Sequence, residues 1–197
     1  MDHGEGTTDS ASTGRPLRAD AQRNRERVLR TAAEVFAAEG LSVPVHEIAR
    51  RAGVGTGTVS RHFPTKESLY AAVLLDRMRE LTDYADGLAA ANDPGTAFFT
   101  LLTRLVHEGV THRGLAEALT GAEFDIEAAA IAAGANVSGR LHRLLSDAQR
   151  SGAVRPDITV ADLKALMDGC LAYKGPDPER VIAVICAGMR TDGPAEL

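Results

Sequence analysis

Apolar residues recur along this chain at spacings of three and four positions, the period of an α-helix with one buried face. Val28, Ala32, Val35 and Phe36 form such a stripe in a first helix predicted over about 20–38. Comparable stripes follow down the chain, whereas no hairpin signal and no alternating apolar–polar run occurs. The pattern therefore predicts an all-α protein of about nine helices.

Turn and cap residues divide these stripes into separate helices. Gly40 ends the first helix, because glycine readily adopts the left-handed conformation found at helix ends. Pro44 suits the first position of the second helix, and Thr56 can cap a third helix that Pro64 ends. A fourth helix is predicted from a cap at Thr65 to about 90, and a fifth begins at a cap provided by Asn92 or Asp93. A short helix over about 115–119 and one long helix over about 123–150 follow. The last two predicted helices begin at Thr159 and at Asp177.

Residues 45–66 hold two short helical patterns around a tight turn. Gly53 lets the chain turn sharply, and Ala49 is small enough for the next helix to cross close by. This arrangement is typical of a helix-turn-helix, in which the second helix of the pair enters the major groove of DNA. We therefore divide the chain into a disordered tail over 1–16, an N-terminal three-helix helix-turn-helix domain over 17–66, and a further helical domain over 67–197.

The charge distribution separates the same parts of the chain. The formal net charge is −5, but residues 15–66 hold ten basic and five acidic residues, a net of +5. Residues 67–197 hold twelve basic and nineteen acidic residues, a net of −7. The asymmetry indicates a basic module for phosphates beside an acidic body, although two solvated faces of one domain would give the same totals.

Composition favours a soluble, cytoplasmic protein. The longest apolar runs fall far short of the roughly 20 residues that a membrane span needs, so no membrane association is expected. The first sixteen residues lack the cationic and apolar segments of a signal peptide. Cys170 and Cys186 lie in apolar helical patterns and are interpreted as buried, reduced thiols.

Polar side chains that could contact DNA cluster on the third helix and just after it. Hydroxyl groups there can bond phosphates or base edges, and Arg61 can read a guanine through two hydrogen bonds. Lys66 lies at the start of the fourth helix, where free N–H groups and a cation can hold a phosphate. The predicted DNA-binding residues are Thr56, Gly57, Thr58, Ser60, Arg61, His62, Thr65 and Lys66.

Motifs that imitate catalytic or metal sites fail on their context. The glycines over 53–57 imitate a dinucleotide-binding loop, but no strand precedes them. His107 and His112 are five residues apart and so do not share a helix face as zinc ligands would. No nucleophile elbow occurs, and neither cysteine is paired with a plausible base. We therefore expect no enzyme activity, no metal and no cofactor.

The stretch over about 23–69 resembles the TetR family of transcriptional regulators. The residues that meet the family pattern are Ile48, Ala49, Ala52, Gly53, Val54, Gly57, Thr58, His62, Phe63 and Lys66. Ser60 departs from the pattern because a tyrosine is usual there, so an aromatic DNA contact is lost or replaced through Arg61. Pro44 stands where a Thr or Ser often caps the second helix, which puts that phosphate contact in doubt.

The resemblance implies a homodimer that binds a pseudo-palindromic operator in double-stranded DNA. A small apolar or amphipathic ligand would release it by binding in the C-terminal ligand-binding and dimerisation domain. The ligand-pocket residues suggested in this way are Tyr84, Phe98, Leu102, Phe124, Leu141 and Met167. The last two helices would form the dimer through Leu163, Leu166, Cys170, Val181, Ile182, Ile185 and Met189, although these stripes would also suit an ordinary core.

Three functions remain open at this point. A ligand-released repressor is the leading hypothesis, and a regulator without a small-molecule effector has almost the same sequence features. An enzyme tethered to DNA is disfavoured, because residues 67–197 hold no constellation of acid, base and nucleophile. The ligand, the operator and the choice between repression and activation lie beyond the sequence.

Overall fold

Ten α-helices form the part of the chain that this computed structural model describes, residues 14–119 and 125–191. They are α1 Gly14–Glu39, α2 Val45–Arg51, α3 Thr56–His62, α4 Lys66–Ala91, α5 Pro94–Thr111, α6 Arg113–Leu119, α7 Ile126–Ala132, α8 Val137–Arg150, α9 Val160–Ala172 and α10 Pro178–Met189. Within these ranges the only β-structure is one isolated bridge between Val154 and Arg190. The all-α prediction is confirmed. Residues 1–13 of the predicted tail lie outside the described residues, whereas residues 14–16, which were also assigned to the tail, begin α1 instead.

Side-chain caps begin several helices at the positions that the sequence predicted. The Asp93 carboxylate accepts a hydrogen bond from the backbone N–H of Thr96 at 3.0 Å. Thr159 and Asp162 form a reciprocal capping box at the start of α9. Asp177 accepts from a backbone N–H in the first turn of α10 at 2.9 Å. These short polar contacts fix where each helix starts.

The prediction of one helix over 123–150 is wrong, because α7 and α8 are separate. Gly134 has a φ of 77°, and the N–H of Ala135 donates to the carbonyl of Ala130 at 2.8 Å, which closes α7. Asn136 then caps α8 by accepting from a backbone N–H at 2.7 Å. A glycine that ends one helix thus lies two residues before an asparagine that begins the next.

Two predicted helix starts are shifted by one residue. Pro44 is the N-cap of α2 and not its first residue, and Gly55 takes the N-cap position of α3 that was expected for Thr56. Neither N-cap residue forms a side-chain hydrogen bond to its helix. Packing of the apolar face therefore holds these short helices, because helices this short are marginal on their own.

The chain divides into two compact units, residues 1–69 and 70–197. In the first unit, α1 packs on both α2 and α3, and α2 packs on α3. The core of this unit includes Leu29, Ala32, Ile48, Val59 and Phe63, all buried. Three helices around one small core agree with the predicted helix-turn-helix architecture.

The second unit is built around α5, which packs against α6, α8 and α9. Phe98, Leu101 and Leu163 are fully buried in its core. Cys170 and Cys186 are free thiols, and burial raises the pKa of both. Among the described residues, no helix is both long and apolar enough to cross a membrane.

Candidate DNA-binding interface

The turn between α2 and α3 is a glycine-dependent helix end. Gly53 has a φ of 62°, a conformation that residues with a Cβ rarely adopt. The N–H of Val54 donates to the carbonyl of Ala49 at 3.0 Å, and the N–H of Gly53 donates to that of Arg50 at 3.1 Å. These two bonds form a Schellman motif, which ends α2 and directs the chain into α3.

A side chain from α1 fixes this turn in place. The guanidinium of Arg27 donates from Nη2 to the carbonyl oxygen of Gly53 at 2.9 Å. Ala49 is almost fully buried where α2 meets α3, so the two helices approach closely. The orientation of α3 is therefore set both by packing and by a hydrogen bond from α1. Arg27 was not among the predicted residues, since nothing local marks a partner 26 residues away.

One face of α3 is buried and the other is polar and exposed. Val59 is 0% exposed and packs inward. The exposed residues of the helix are Thr56, Gly57, Ser60, Arg61 and His62, and Thr58 is half-buried. Arg61 and His62 lie in the last turn, so the cationic groups are at its C-terminal end. The structure thus brings most of the predicted DNA-contact residues onto one short helix.

The remaining predicted contacts lie at the start of α4. The backbone N–H of Ser68 donates to Oγ1 of Thr65 at 3.0 Å, and the N–H of Thr65 donates to Oγ of Ser68 at 3.1 Å. Thr65 is therefore the N-terminal cap, as predicted from the sequence. Lys66 is the first residue of α4 and is half-buried.

A network of ion pairs links α2 to the end of α1. Arg51 pairs with both Glu39 and Glu47, and Arg50 pairs with Glu47 at 2.7 Å. Hydrogen bonds from Arg50 and Arg51 lower the pKa of Glu47 to about 2. Two of the basic residues in this unit are therefore neutralised by carboxylates of the protein itself. Charge counting along the sequence could not reveal this.

The ligand-pocket residues inferred from the family lie in different surroundings. Phe98, Leu102 and Leu141 belong to the hydrophobic core of the second unit, and Met167 packs against it. Tyr84 is 42% exposed and lines an open groove. Phe124 lies outside the described residues. Phe98, Leu102, Leu141 and Met167 are thus side chains packed in or against the core.

The dimer-interface residues inferred from the family lie largely inside a single chain. Leu163 and Met189 are fully buried in the core of the second unit, and Cys170 and Ile182 are also buried. Leu166, Val181 and Ile185 are half-buried and pack against that core. The exposed positions of the same two helices include charged residues, such as Lys164 and Asp168, and several small or aliphatic ones: Ala161, Ala165, Gly169, Ala172, Ala183, Val184 and Ala187. The apolar stripes therefore mark the core side of α9 and α10.

Models of two protein families match this chain. The model of the bacterial regulatory proteins of the tetR family matches residues 28–73. The model described as transcriptional regulator SbtR-like, C-terminal domain, matches residues 93–191. Between them they cover the helix-turn-helix and most of the second unit.

Solved structures and curated proteins agree with the family models. A TetR transcription regulatory protein from Mycobacterium vanbaalenii is 50% identical, with a TM-score of 0.73, over 89% of this chain and 100% of that chain. A TetR transcriptional regulator from Streptomyces coelicolor is 30% identical, with a TM-score of 0.71, over 86% and 99%. The HTH-type transcriptional regulator UidR of Escherichia coli is 26% identical over 77% of this chain and 79% of its own length.

A tight turn braced from α1, an exposed polar recognition helix and a separate helical body together define a helix-turn-helix DNA-binding transcriptional regulator. The two family models and the Mycobacterium vanbaalenii protein, which is 50% identical to this chain, narrow this class of regulators to one family. The chain belongs to the TetR family of transcriptional regulators.

Proposed function

We propose that this protein is a repressor that binds a pseudo-palindromic operator as a homodimer and leaves it when a small molecule binds the second unit. The observation that carries this proposal is the exposed polar face of α3, opposite the buried Val59 and next to the turn that Arg27 holds. Such a rigid, outward-facing helix suits insertion into the major groove. Its role is regulatory and not catalytic.

The residues that would recognise bases lie on the outer face of α3. Arg61 is exposed in the last turn, and a guanidinium can donate two hydrogen bonds to O6 and N7 of guanine. Ser60 precedes it and offers a short hydroxyl, which leaves room for the arginine to reach a base edge. Gly57 is exposed, and a Cβ built there would meet no protein atom within 4 Å. This glycine supports a close approach between the α3 backbone and the DNA.

The residues that would anchor phosphates lie at the start of α4 and at the last position of α3. Thr65 caps α4, Lys66 opens it, and His62 is exposed nearby in sequence. Free backbone N–H groups and the helix dipole attract a phosphate at such a helix start. Because phosphates are the same in every sequence, these residues would supply affinity without sequence preference.

The exposed faces of α9 and α10 would form the dimer interface. Small residues on both helices allow close packing of a second pair of helices, and Val184 is 64% exposed at the centre of α10. The partner copy would cover this valine. A two-fold dimer then presents two α3 helices to half-sites about 34–36 Å apart, or a multiple of that distance.

Selection of duplexes from a random pool by the full-length protein tests this proposal. We expect two inverted half-sites whose centres lie about 10 base pairs or a multiple apart. A reporter that carries the recovered operator across its promoter should be silenced by the protein. Asymmetric single sites would refute the dimeric binding mode, and raised transcription would make the protein an activator. The protein would act in the cytoplasm, where the DNA lies.

A further inference from the structure

An open groove crosses the second unit between α4, α5 and α10, and of the described pocket residues inferred from the family only Tyr84 lines it. Its volume is about 620 Å³, within the range of roughly 300–1,000 Å³ typical of small-molecule sites. Phe99 and Ile182 give it an apolar floor, and Tyr84 stands exposed at its edge. Thr100 and Thr103 add hydroxyl groups along one wall. The groove therefore combines apolar surface with a few polar groups.

One end of the groove carries the guanidinium of Arg190, which pairs with no carboxylate of the described residues. The guanidinium carbon of Arg190 lies 4.1 Å from the centre of the Phe99 ring, so the arginine stacks on an aromatic face. Arg190 forms no ion pair with any residue that the structure describes. Stacking covers one face of the guanidinium, and its N–H groups donate no hydrogen bond to any of the described residues, so they can serve a planar acceptor. A carboxylate matches that edge with two parallel hydrogen bonds.

The other end of the groove carries a carboxylate, that of Glu179. Nε2 of His107 lies 3.4 Å from a carboxylate oxygen of Glu179. Glu179 lies in the first turn of α10 and Arg190 directly follows its last residue, so about 16 Å of helix rise separates them. A second anionic group would be repelled at the Glu179 end. The groove thus suits a molecule with one acidic group, an apolar body, and a neutral far end.

We propose that this groove binds a hydrophobic monocarboxylic acid, with the carboxylate on Arg190 and the apolar body along Phe99 and Ile182. The inference rests on the proposed ligand control and names its site and ligand class. Arg104 also lines the groove, but Glu108 pairs with it at 2.6 Å, so Arg190 is the arginine assigned to the carboxylate. Cys186 lines the groove between its two ends, so a bound acid would cover this thiol.

Calorimetric titration of the full-length protein without DNA provides the test. The probes are 2-naphthoate and decanoate, with 2-naphthamide as the uncharged control. We expect both acids to bind, and Arg190→Gln to weaken them at least about tenfold, since hydrogen bonds to charged groups are the stronger kind. The amide should bind equally weakly to both proteins. Arg143→Gln, an exposed arginine on α8, should leave all three probes unchanged.

Protection of Cys186 locates the bound acid independently. In Cys170→Ala, Cys186 is the only thiol, because the chain has two cysteines. Either acid should slow its alkylation by the uncharged reagent N-ethylmaleimide, whereas the amide at the same concentration should not. Equal alkylation rates with and without acid would place any bound acid elsewhere and overturn the proposal.

Two further outcomes would also overturn it. One is no heat of binding from either acid at 1 mM, and the other is dissociation of the dimer by Arg190→Gln in sedimentation, which would make the groove part of a subunit interface. Operator titrations of the same proteins separate this inference from the proposed function. A protein that binds its operator but ignores both acids refutes only the groove, and one that binds acids but no DNA refutes only the repressor.

Discussion

Replacing Gly57 by alanine should separate the stability of the protein from its affinity for DNA. Gly57 is the second residue of α3, is exposed, and has no protein atom within 4 Å of the position that a Cβ would take. A methyl group therefore creates no clash in the free protein. Alanine is also the better helix former, so Gly57→Ala should raise the free energy of unfolding by up to about 0.5–1 kcal/mol.

The same methyl group should weaken operator binding. If α3 approaches the DNA through this backbone, a Cβ extends the helix surface toward the bases or phosphates. We expect a loss of at least about tenfold in affinity, equivalent to about 1.4 kcal/mol. Fluorescence anisotropy with a labelled operator duplex measures the affinity, and urea unfolding followed by circular dichroism measures the stability.

Gly53→Ala is the matched control in the neighbouring turn. Its φ of 62° costs a residue with a Cβ about 1–2 kcal/mol, although the added atom would come no closer than 3.9 Å to Arg27. This variant should therefore lose stability, the opposite of Gly57→Ala. Unchanged operator affinity in a stable Gly57→Ala protein would refute the proposed approach of α3 to DNA through this face.

Two other substitutions test the interface and the ion-pair network. Val184→Glu should convert dimers to monomers in sedimentation velocity and weaken operator binding, whereas Ile131→Glu, at an exposed isoleucine on α7, should do neither; an intact Val184→Glu dimer would move the interface. Glu47 has a pKa of about 2 against an ordinary 4.5, so its ionised form adds stability that is present above pH 4.5 and is lost as the pH falls toward 2. Glu47→Gln should therefore lower the melting temperature at pH 7 and have almost no effect near pH 2, and an equal effect at both would show that the charge is not responsible.

Local signals were sufficient where a single residue fixes a helix end. Asp93, Thr159 and Asp177 each cap a helix as predicted, because a short polar side chain satisfies a backbone N–H three residues later. The break between α7 and α8 was missed although Gly134 and Asn136 signal it. Their flanking alanines favour helix so uniformly that the pattern looked continuous.

Contacts between distant segments could not be predicted. The apolar stripes of α9 and α10 were interpreted as a dimer interface or, alternatively, an ordinary core, and Leu163 and Met189 are buried within one chain. Apolar periodicity identifies a buried face but not the partner that buries it, so the core and a dimer interface give the same signal. The Arg190–Phe99 stack and the hydrogen bond from Arg27 to the turn could not be predicted for a related reason, since each joins residues far apart in sequence.

Titration of Arg61→Ala against the operator and a random duplex, each at two salt concentrations, tests the central claim that the outer face of α3 reads DNA sequence. We expect a selective loss of operator affinity of about 1–3 kcal/mol, with binding to random DNA nearly unchanged. Lys66→Ala should instead weaken both duplexes alike and reduce the salt dependence. Equal losses on both duplexes for Arg61→Ala would make this arginine a phosphate contact and contradict the account.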